Sequence, residues 1–331
     1  MRSVRGSSRM RAVLVHQFGG VEQMKVEDGV AIPSVGDKQV LIKVHVSGIN
    51  PVDTYIREGA FFILPDLPFV PGLDAAGIVE AVGKGVTHFK PGDRVFSSYS
   101  TQFGTLAEFT SVDEAHVFPL DDKLTYSQGA GIGVPYFTAY RALFQKAHAK
   151  KGERVLVHGA SGAVGLAAVQ IGVANGLRVV GTAGTPEGLD LVKQMGAEAV
   201  FNHRDKKYIS ELQKGEKFDV ILEMLANVNL GKDLTLMKPR GRTIVVGSRG
   251  TVSIDPRNIM GIEGSVTGMA LQTATPEEWK ELSEGVIEGI NAGWVTPVVD
   301  REYTLEEAGK AHHDIINSKG AKGNLVVKLQ D

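Results

Sequence analysis

The sequence of 331 residues contains no cysteine. A disulfide, a thiolate-bound zinc site, an iron–sulfur cluster and a cysteine nucleophile are therefore all excluded. There is also no uninterrupted run of about 18 apolar residues, so a membrane-spanning helix is not expected. Neither sign of charge is in excess, because 36 Lys and Arg face 38 Asp and Glu, a formal net charge of −2. This balance argues against nucleic acid as the main partner.

Glycine is the residue type in excess: 40 of 331 residues, about 12%, against a usual share of about 7%. The glycines do not recur at every third position, which excludes a collagen-like chain. The excess therefore indicates many sharp turns or close approaches of the backbone. The length corresponds to about two domains of roughly 150 residues. With 43% hydrophobic and 22% charged residues, the composition is that of a globular protein.

Short β-prone runs and turn residues alternate through residues 11–126, which predicts a compact, β-rich and barrel-like domain. From about Tyr126 onward, apolar strand-like runs alternate with helical stretches, the pattern of a parallel sheet built from right-handed crossovers. The last part of the chain returns to β-like sequence. We therefore expect a discontinuous first domain, over residues 1–126 and 272–331, with an α/β domain over residues 127–271 inserted into it.

The first ten residues, MRSVRGSSRM, carry three Arg, three Ser and no acidic residue, a composition found in organelle transit peptides. The segment is short for such a signal, and the looseness of chain termini favours a tail that precedes the first strand. We expect a cytoplasmic protein, with a mitochondrial location as the alternative.

A glycine-rich turn carries the strongest chemical signal. Residues 154–165 read RVLVHGASGAVG: an apolar strand runs into Gly159, Gly162 and Gly165, and a helix that ends near Gly176 follows at once. Glycines at this spacing let the backbone approach a pyrophosphate and let helix and strand pack closely, while the helix N-terminus offers N–H groups to phosphate oxygens. The strand–turn–helix context predicts a bound dinucleotide. A tight structural turn without a ligand is the alternative.

The second strand of this α/β unit discriminates between dinucleotides. A position about 20 residues beyond Gly162 carries Asp or Glu in NAD-specific sites, where the acid bonds the ribose 2′-hydroxyl. Here that count falls on Thr182, in a run of small and apolar residues. The hydroxyl of Thr185 and the side chains of His203 and Arg204, which follow the third strand, are available for a 2′-phosphate. NADP(H) is therefore the expected cofactor. In the alternative, His203 and Arg204 are merely solvated loop residues.

Seven ordered segments along the chain carry a family resemblance: GINPVDTYIREG (48–59), PFVPGLDAAGIVEAVG (68–83), KPGDRVF (90–96), GVPYFTAYRAL (133–143), HGASGAVGLAAVQ (158–170), EMLANVNL (223–230) and VVGSRGT (245–251). They resemble the medium-chain dehydrogenase/reductase family, and most of all its zinc-free, zeta-crystallin type of NADPH:quinone oxidoreductase. The family implies a GroES-like β-barrel catalytic domain, an inserted Rossmann domain with a doubly wound parallel sheet, an active-site cleft between them, and a homotetramer.

The resemblance also bears on metal binding. Where zinc-dependent members of the family carry the first Cys ligand this chain has Asn50, and their Gly-His-Glu reads Gly72-Leu73-Asp74. The four-Cys lobe of the structural zinc is missing as well, so no metal is expected. Without a Lewis acid to ionise an alcohol, the remaining chemistry is donation of a hydride or of electrons from NADPH. The acceptor should need little proton activation, as a quinone or an electron-poor enone does.

The family's site residues carry over position by position. Asn50 and Tyr55 are implied as catalytic residues at the nicotinamide end of the cleft, where an amide and a phenol could bond the acceptor oxygen. From the residues alone, Asn50 could instead start a turn and Tyr55 could be a packed aromatic. Likewise, residues 247–250 could be a simple turn and Asn229 part of a helix cap. The implied cofactor contacts are Tyr55, Ser161, Gly162, Ala163, Val164, Gly184, His203, Asn229, Gly247, Ser248, Arg249, Gly250, Ala270, Leu271 and Gln272.

We therefore expect an NADPH-dependent, zinc-independent quinone reductase that acts by one-electron transfer, giving a semiquinone, or by two-electron transfer. The alternative enzyme is an NADPH-dependent enone or enoyl double-bond reductase, because zinc-free relatives share one hydride-transfer geometry. The resemblance to zeta-crystallins implies a third alternative, of another class: a lens structural protein, or a protein whose binding to AU-rich RNA is sensitive to NADPH. The net charge of −2 does not favour RNA as a partner.

Overall fold

The computed structural model describes residues 9–98 and 104–330. Most of the Arg/Ser-rich N-terminal segment that we considered as a targeting signal, residues 1–8, therefore lies outside the described residues. None of the helices within the described ranges is both long and apolar enough to span a membrane.

The chain divides into two compact units. The first contains Met1–Val134, Val299–Ser318 and Asn324–Asp331, and the second contains Pro135–Val298 and Lys319–Gly323. The first unit is thus discontinuous in sequence and the second is inserted into it, in the order that the composition of the chain predicts.

The first part of the chain forms, in order, β1 (Arg9–Val15), β2 (Met24–Ala31), β3 (Gln39–Ile49), α1 (Pro51–Arg57), β4 (Asp74–Val82), β5 (Arg94–Ser97), β6 (Phe109–Asp113), β7 (Val117–Pro119) and α2 (Tyr126–Gly129). It continues with α3 (Gly133–Tyr140), a π-helical turn (Arg141–Lys146), β8 (Arg154–Val157), α4 (Ala163–Ala174), β9 (Arg178–Ala183), α5 (Pro186–Gln194), β10 (Ala199–Asn202), α6 (Tyr208–Lys214), β11 (Phe218–Glu223), α7 (Ala226–Asp233), β12 (Met237–Val245), α8 (Arg257–Met260), β13 (Ser265–Gly268) and α9 (Pro276–Ala292). The C-terminal part of the chain returns to the first unit and forms β14 (Val299–Thr304), α10 (Ala308–Asn317) and β15 (Asn324–Lys328).

The first unit is built on a seven-stranded sheet. Six strands follow the order β14-β15-β3-β4-β5-β7, β6 pairs with β3, and β1 and β2 form a separate antiparallel pair. Alternate residues of β3, namely Val40, Ile42 and Val44, are fully buried in one apolar cluster with Val79 and Val95. This period of two buries one face of each strand, as the alternating sequence of the segment predicts.

The second unit is built on a parallel sheet of six strands in the order β10-β9-β8-β11-β12-β13. In order of appearance this is 3-2-1-4-5-6, the arrangement of a doubly wound Rossmann fold. Residues Val155, Leu156 and Val157 of β8 are all fully buried, because helices cover both faces of a parallel sheet. This topology confirms the expected Rossmann domain, inserted into a β-rich first domain.

The observed units do not begin and end where the sequence placed the domain boundaries. The stretch 127–134 lies with the first unit, and everything from residue 272 to Val298 lies with the second. Helix α9 accounts for most of this difference. Its apolar face gave no sign in the sequence of which domain it would join.

Contacts within the second unit fix α9. The ring of Trp279 packs edge-on against Phe137, with ring centroids 5.7 Å apart. The guanidinium of Arg141, only 1% exposed, makes an ion pair of 2.9 Å with Glu278. A buried cation needs such a partner, because an unpaired charge in the interior is strongly destabilising. Helix α9 is therefore an integral part of the Rossmann unit.

One glycine of the β domain gives a direct test of this packing. A Cβ added to Gly77 in β4 would lie 2.0 Å from the carbonyl oxygen of Lys43 in β3, so Gly77→Ala should force the two strands apart. We expect a loss of about 3 kcal/mol of stability, seen as a lower midpoint of thermal unfolding by circular dichroism. Gly268→Ala is the matched control, since nothing lies within 4 Å of its added Cβ. An unchanged midpoint for Gly77→Ala would contradict the strand register.

Candidate functional site

The site residues expected in the second unit gather at one edge of its sheet. Each lies within two residues of the carboxyl end of a parallel strand: Gly159 after β8, Gly184 after β9, His203 after β10, Gly247 after β12 and Ala270 after β13. The strands run in one direction, so their carboxyl ends share an edge. This is the edge at which open α/β sheets bind ligands.

The glycine-rich turn joins β8 to α4 through a short set of backbone hydrogen bonds. Gly159 has a φ of +57°, a conformation that glycine adopts without strain. The N–H of Ala160 donates to the carbonyl of Thr182 at 2.7 Å, and that of Gly162 to the carbonyl of Gly159 at 3.0 Å. Helix α4 then begins at Ala163 with Gly162 as its N-cap, which leaves the first N–H groups of the helix without helical partners.

Two glycines of the turn have different structural roles. A Cβ on Gly165 would lie 2.4 Å from the carbonyl oxygen of Gly159, whereas one on Gly162 would meet no atom closer than 3.4 Å. Gly165 therefore allows β8 and α4 to pack closely, and Gly162 leaves open space above the helix N-terminus. Both features suit a pyrophosphate that approaches the backbone. The turn thus fits a dinucleotide.

Two side chains that follow β10, those of His203 and Arg204, lie over the end of β9 and could bind a 2′-phosphate. A Cβ on Gly184 would lie 2.7 Å from His203 Nε2 and 2.9 Å from Arg204 Nε, so both side chains reach over this glycine. Both are exposed to solvent. The hydroxyl of Thr185 accepts a hydrogen bond from the N–H of Gly188 at 3.1 Å, which makes Thr185 the N-cap of α5.

Thr182 has a role that the residue count did not anticipate. We expected this position to face the ribose, but Thr182 is 1% exposed within β9. Its Oγ1 accepts the N–H of Gly159 at 3.2 Å and lies 3.3 Å from Nδ1 of His158. Thr182 therefore supports the glycine turn from beneath, and Gly184 occupies the strand end. The carboxyl end of β9, Ala183-Gly184, still carries no acidic residue.

A buried group of ionisable side chains lies below the turn. His158 Nε2 is 2.8 Å from Asp233 Oδ1 and 3.7 Å from Glu223 Oε2. Burial lowers the pKa of His158, so the imidazole is neutral. Asp233 Oδ1 can only accept, so we assign the imidazole hydrogen to Nε2, which donates a hydrogen bond to it. His158 Nδ1 then accepts a hydrogen bond from the Thr182 hydroxyl.

The two carboxyl groups of this cluster share a proton in our assignment. Glu223 Oε2 and Asp233 Oδ2 are buried and receive no hydrogen bond from the described residues. Burial raises the pKa of Glu223 to about 8 and that of Asp233 to about 7. Two carboxylates beside one neutral imidazole would repel each other, and one proton between them removes the repulsion.

Asn229 extends this network along α7. Its Nδ2 donates to Glu223 Oε1 at 3.3 Å, and its Oδ1 accepts from the hydroxyl of Tyr208 at 3.3 Å. Asn229 lies within α7, whose N-cap is Leu225, so the helix-cap interpretation of this asparagine is wrong.

The exposed turn at residues 247–250 is tied to α7 by a different side chain. The Oδ1 of Asn227 accepts the N–H of Arg249 at 2.9 Å. A Cβ on Gly247 would lie 2.6 Å from the carbonyl oxygen of Met224, so this glycine is needed for close packing. Ala270 leads into a short 3-10 turn, Leu271–Thr273, after β13.

In the first unit, Asn50 is held from two sides. Asn50 is the N-cap of α1, and Pro51 occupies the first turn. The backbone N–H of Asn50 donates to Asp53 Oδ2 at 2.7 Å. Its side-chain Nδ2 donates to Asp74 Oδ2 at 2.8 Å. Asp74 is fully buried and also accepts the N–H of Val134 at 3.0 Å. Asp74 therefore fixes the orientation of the Asn50 amide.

Tyr55 lies in the middle of α1 and is half-buried. Among the residues that the structure describes, none forms a hydrogen bond with its hydroxyl, which is therefore available to a ligand. The structure thus places Asn50 and Tyr55 at the start and on the body of one short helix, five residues apart.

Two family models match the chain: an alcohol dehydrogenase GroES-like domain over residues 36–122, and a zinc-binding dehydrogenase domain over residues 163–288. The chain is 51% identical to the quinone oxidoreductase of Homo sapiens and 53% identical to that of Sus scrofa. Each match covers 98% of this chain and 99% of the relative. The chain belongs to the quinone oxidoreductase family of medium-chain dehydrogenases/reductases. The expected family membership is confirmed.

Solved structures of this wider family share the fold over the whole chain. A quinone oxidoreductase of Pseudomonas syringae pv. tomato superposes with a TM-score of 0.85 at 26% identity, covering 97% of this chain and 100% of that one. A mycobacterial protein in complex with NADPH gives a TM-score of 0.87 at 29% identity, with the same coverage. The enzyme class expected from the sequence, an oxidoreductase, is confirmed by the quinone oxidoreductase relatives.

The zinc in one family description finds no matching ligand set here. At the positions that resemble zinc-ligand positions, an amide and a carboxylate, Asn50 and Asp74, bond each other, and no cysteine exists anywhere in the chain. In the described ranges, one group of three side chains could share a metal ion: His158, Glu223 and Asp233. Hydrogen bonds and a shared proton account for that group. The absence of a metal stays a prediction.

The sequence did not reveal the buried polar residues that support the site, although it did indicate the sheet edge at which the site lies. His158 lies 65 positions from Glu223 and 75 from Asp233 along the chain, so no local pattern joins it to the two acids. Asp74 was considered only as a lost zinc position. The one available signal was the imidazole directly after β8 and the acid that ends β11, since such groups need partners in the interior.

The shared proton predicts a pH-dependent stability. The folded protein retains it up to a pH of about 8, whereas in the unfolded chain a glutamate ionises near its ordinary value of 4.5. The free energy of unfolding should therefore fall as the pH rises through this window, by about 1.4 kcal/mol per pH unit for one proton. Glu223→Gln, which keeps a hydrogen-bond donor but cannot ionise, should flatten this slope.

Tryptophan fluorescence measures this effect selectively, because both tryptophans, Trp279 and Trp294, lie in the second unit. Urea unfolding of wild type and Glu223→Gln would be compared between pH 5 and pH 8, with the exposed Glu263→Gln as control. Identical slopes for wild type and Glu223→Gln would contradict the shared proton.

Proposed function

We propose that the protein is an NADPH-dependent, zinc-independent quinone reductase. The observation that carries the proposal is the likeness at 51–53% identity, over 98% of the chain, to quinone oxidoreductases. The local geometry supports it, since the chain has a glycine turn that fits a dinucleotide and a helix, α1, that presents the amide of Asn50 and the phenol of Tyr55.

The choice of NADPH over NADH rests on charge at the end of β9. That end is Ala183-Gly184, with no acid to bond a free 2′-hydroxyl or to repel a 2′-phosphate. His203 and Arg204 lie over Gly184 instead, within 3 Å of the point where its Cβ would be. The guanidinium of Arg204 can form two parallel hydrogen bonds with a phosphate. The NADPH complex of the mycobacterial neighbour is consistent with this choice.

When bound, NADPH supplies the reducing equivalents, as a hydride or as electrons. The chain's own residues bind the acceptor and donate hydrogen bonds to its oxygen. Asp74 uses one amide hydrogen of Asn50, and the second remains for an acceptor oxygen or for the cofactor. The hydroxyl of Tyr55 can donate a hydrogen bond to the same ligand. Donors aimed at an oxygen that gains negative charge lower the barrier to reduction.

The hydroxyl of Tyr55, to which no described residue forms a hydrogen bond, also favours a second candidate function, reduction of enones. There a proton must reach the carbon next to the carbonyl after the hydride has been accepted, and a phenol on α1 could deliver it. Quinone reduction needs no such step at carbon. The two functions therefore differ in how strongly turnover depends on Tyr55.

The cofactor proposal predicts a selective effect of Arg204→Gln. Loss of the guanidinium should weaken NADPH binding about tenfold, the cost of one charge-assisted hydrogen bond, and leave NADH binding unchanged. Dissociation constants would be measured by quenching of tryptophan fluorescence. Arg257→Gln, at an exposed arginine of the same unit, is the matched control. Equal weakening of both nucleotides would overturn the assignment of Arg204 to the 2′-phosphate.

The acceptor proposal is tested by Tyr55→Phe with ortho-quinones, para-quinones and 2-alkenals. For a quinone reductase we expect kcat/KM to fall about tenfold with quinones, the loss of one hydrogen bond to the acceptor. A fall of about a hundredfold or more, with alkenals only, would favour the enone reductase. Tyr126→Phe, away from α1, is the matched control. Unchanged turnover of every acceptor would contradict any polar role of Tyr55.

A further inference from the structure

One loop of the first unit exposes a cluster of large apolar side chains. The loop consists of residues 60–68, with the sequence AFFILPDLP, and is called the apolar loop below. Its exposed apolar side chains are those of Phe62 (67%), Ile63 (47%), Leu64 (42%) and Leu67 (41%). They make up half of the large apolar side chains that are exposed in residues 9–98 and 104–330, and the other half all lie in the second unit. Such a cluster indicates a binding surface, because exposed apolar area is unfavourable in water.

Both ends of the apolar loop are bonded to the body of the first unit. At its start, the N–H of Ala60 donates to the backbone carbonyl of Tyr55 at 2.9 Å. After its end, Phe69 exchanges two backbone hydrogen bonds, of 2.9 and 3.1 Å, with the last residue of β1. Phe18 packs against both ends: its ring centroid is 6.1 Å from that of Phe69, and its Cβ is 3.1 Å from where a Cβ on Gly59 would be. The loop therefore has the closed ends of an Ω-loop, a type of surface loop that often carries function.

The hydrogen bond at Ala60 connects the apolar loop to the helix that we assign to the acceptor. Helix α1 presents the amide of Asn50 and the phenol of Tyr55. Because Ala60 is bonded to the backbone of Tyr55, the loop begins beside the residue that donates to the acceptor oxygen. Phe61 and Phe62 follow at once, with ring centroids 4.2 Å apart. The phenol donor and the apolar surface thus belong to one continuous stretch of the first unit.

The charges of this stretch restrict what the apolar loop can bind. Residues 58–70 contain two acids, Glu58 and Asp66, and no Lys, Arg or His. The preceding Arg57 is 3% exposed and donates to the carbonyl of Gly19 at 3.0 Å, so its charge does not face solvent. The phosphates of an acyl-CoA or the headgroups of acidic lipids would need cations here. The loop therefore suits an uncharged hydrocarbon chain.

We propose that the apolar loop binds the hydrocarbon tail of a lipophilic quinone, so that the acceptors of this protein are quinones with an isoprenoid or alkyl side chain. The quinone ring binds at Tyr55, and the tail lies on Phe62, Ile63 and Leu64. Burial of the tail removes apolar surface of both partners from water. This inference deepens the proposed function and rests on it, because it names the class of quinone that is reduced.

Two quinones with the same ring test this proposal: a dimethoxy-methyl-benzoquinone without a tail, and its decyl derivative. With wild type and NADPH, we expect the KM of the decyl quinone to be about tenfold lower. One fully buried methylene changes affinity about fourfold, so contact with a few methylenes is sufficient. The triple variant Phe62→Ser, Ile63→Ser, Leu64→Ser should lose this difference and keep the KM of the untailed quinone. Equilibrium dialysis without nucleotide should show the same loss of affinity for the decyl quinone.

Met260→Ser is the matched control, since it removes an apolar side chain that is 73% exposed in the second unit. It should keep the tenfold difference, and unaltered thermal midpoints would show that both variants fold.

The possible outcomes separate a failure of tail binding from a failure of the proposed function. If wild type reduces neither quinone, the proposed function fails and tail binding fails with it. If wild type reduces both quinones with equal KM, or if the triple variant keeps the difference, the role of the apolar loop alone is wrong. Equal KM values together with sedimentation of wild type, but not of the triple variant, on phosphatidylcholine vesicles would assign the loop to a membrane surface and overturn the proposal.

Discussion

The close approach of β8 and α4 is the constraint on which the candidate site depends. It is possible because residue 165 has no side chain: a Cβ there would lie 2.4 Å from the carbonyl oxygen of Gly159. With the two elements in contact, Ala160 bonds the end of β9 and Gly162 caps the helix. The open helix N-terminus and the acid-free strand end then lie at one edge of the sheet, where a dinucleotide can meet both.

The interior below this edge is polar, which is unusual for the core of a parallel sheet. Thr182, His158 and Asp233 form a chain of hydrogen bonds from the glycine turn to α7, and Glu223 continues it to Asn229. A buried network of this kind rigidifies a structure only if every member is satisfied. The shared proton provides that condition, so the geometry of the turn and the protonation of the carboxyl pair are linked.

The sequence was sufficient for the order of the two domains, the Rossmann topology and the glycine turn, because these depend on local periodicity and on glycine spacing. It was insufficient where distant residues meet. Counting placed the cofactor-discriminating position at Thr182, but the pleat of β9 buries that residue. Helix α9 and the segment Lys319–Gly323 join the second unit through tertiary contacts alone. The roles of Asn50 and Tyr55 came from resemblance and stay predictions.

The most direct test of the central claim is a comparison of NADPH and NADH binding by the wild-type chain. Both nucleotides would be titrated by isothermal calorimetry at the same pH and ionic strength. Cations around an acid-free strand end should favour NADPH by at least about tenfold, or about 1.4 kcal/mol. Equal dissociation constants for the two nucleotides, or tighter binding of NADH, would contradict the assignment of this sheet edge to NADPH.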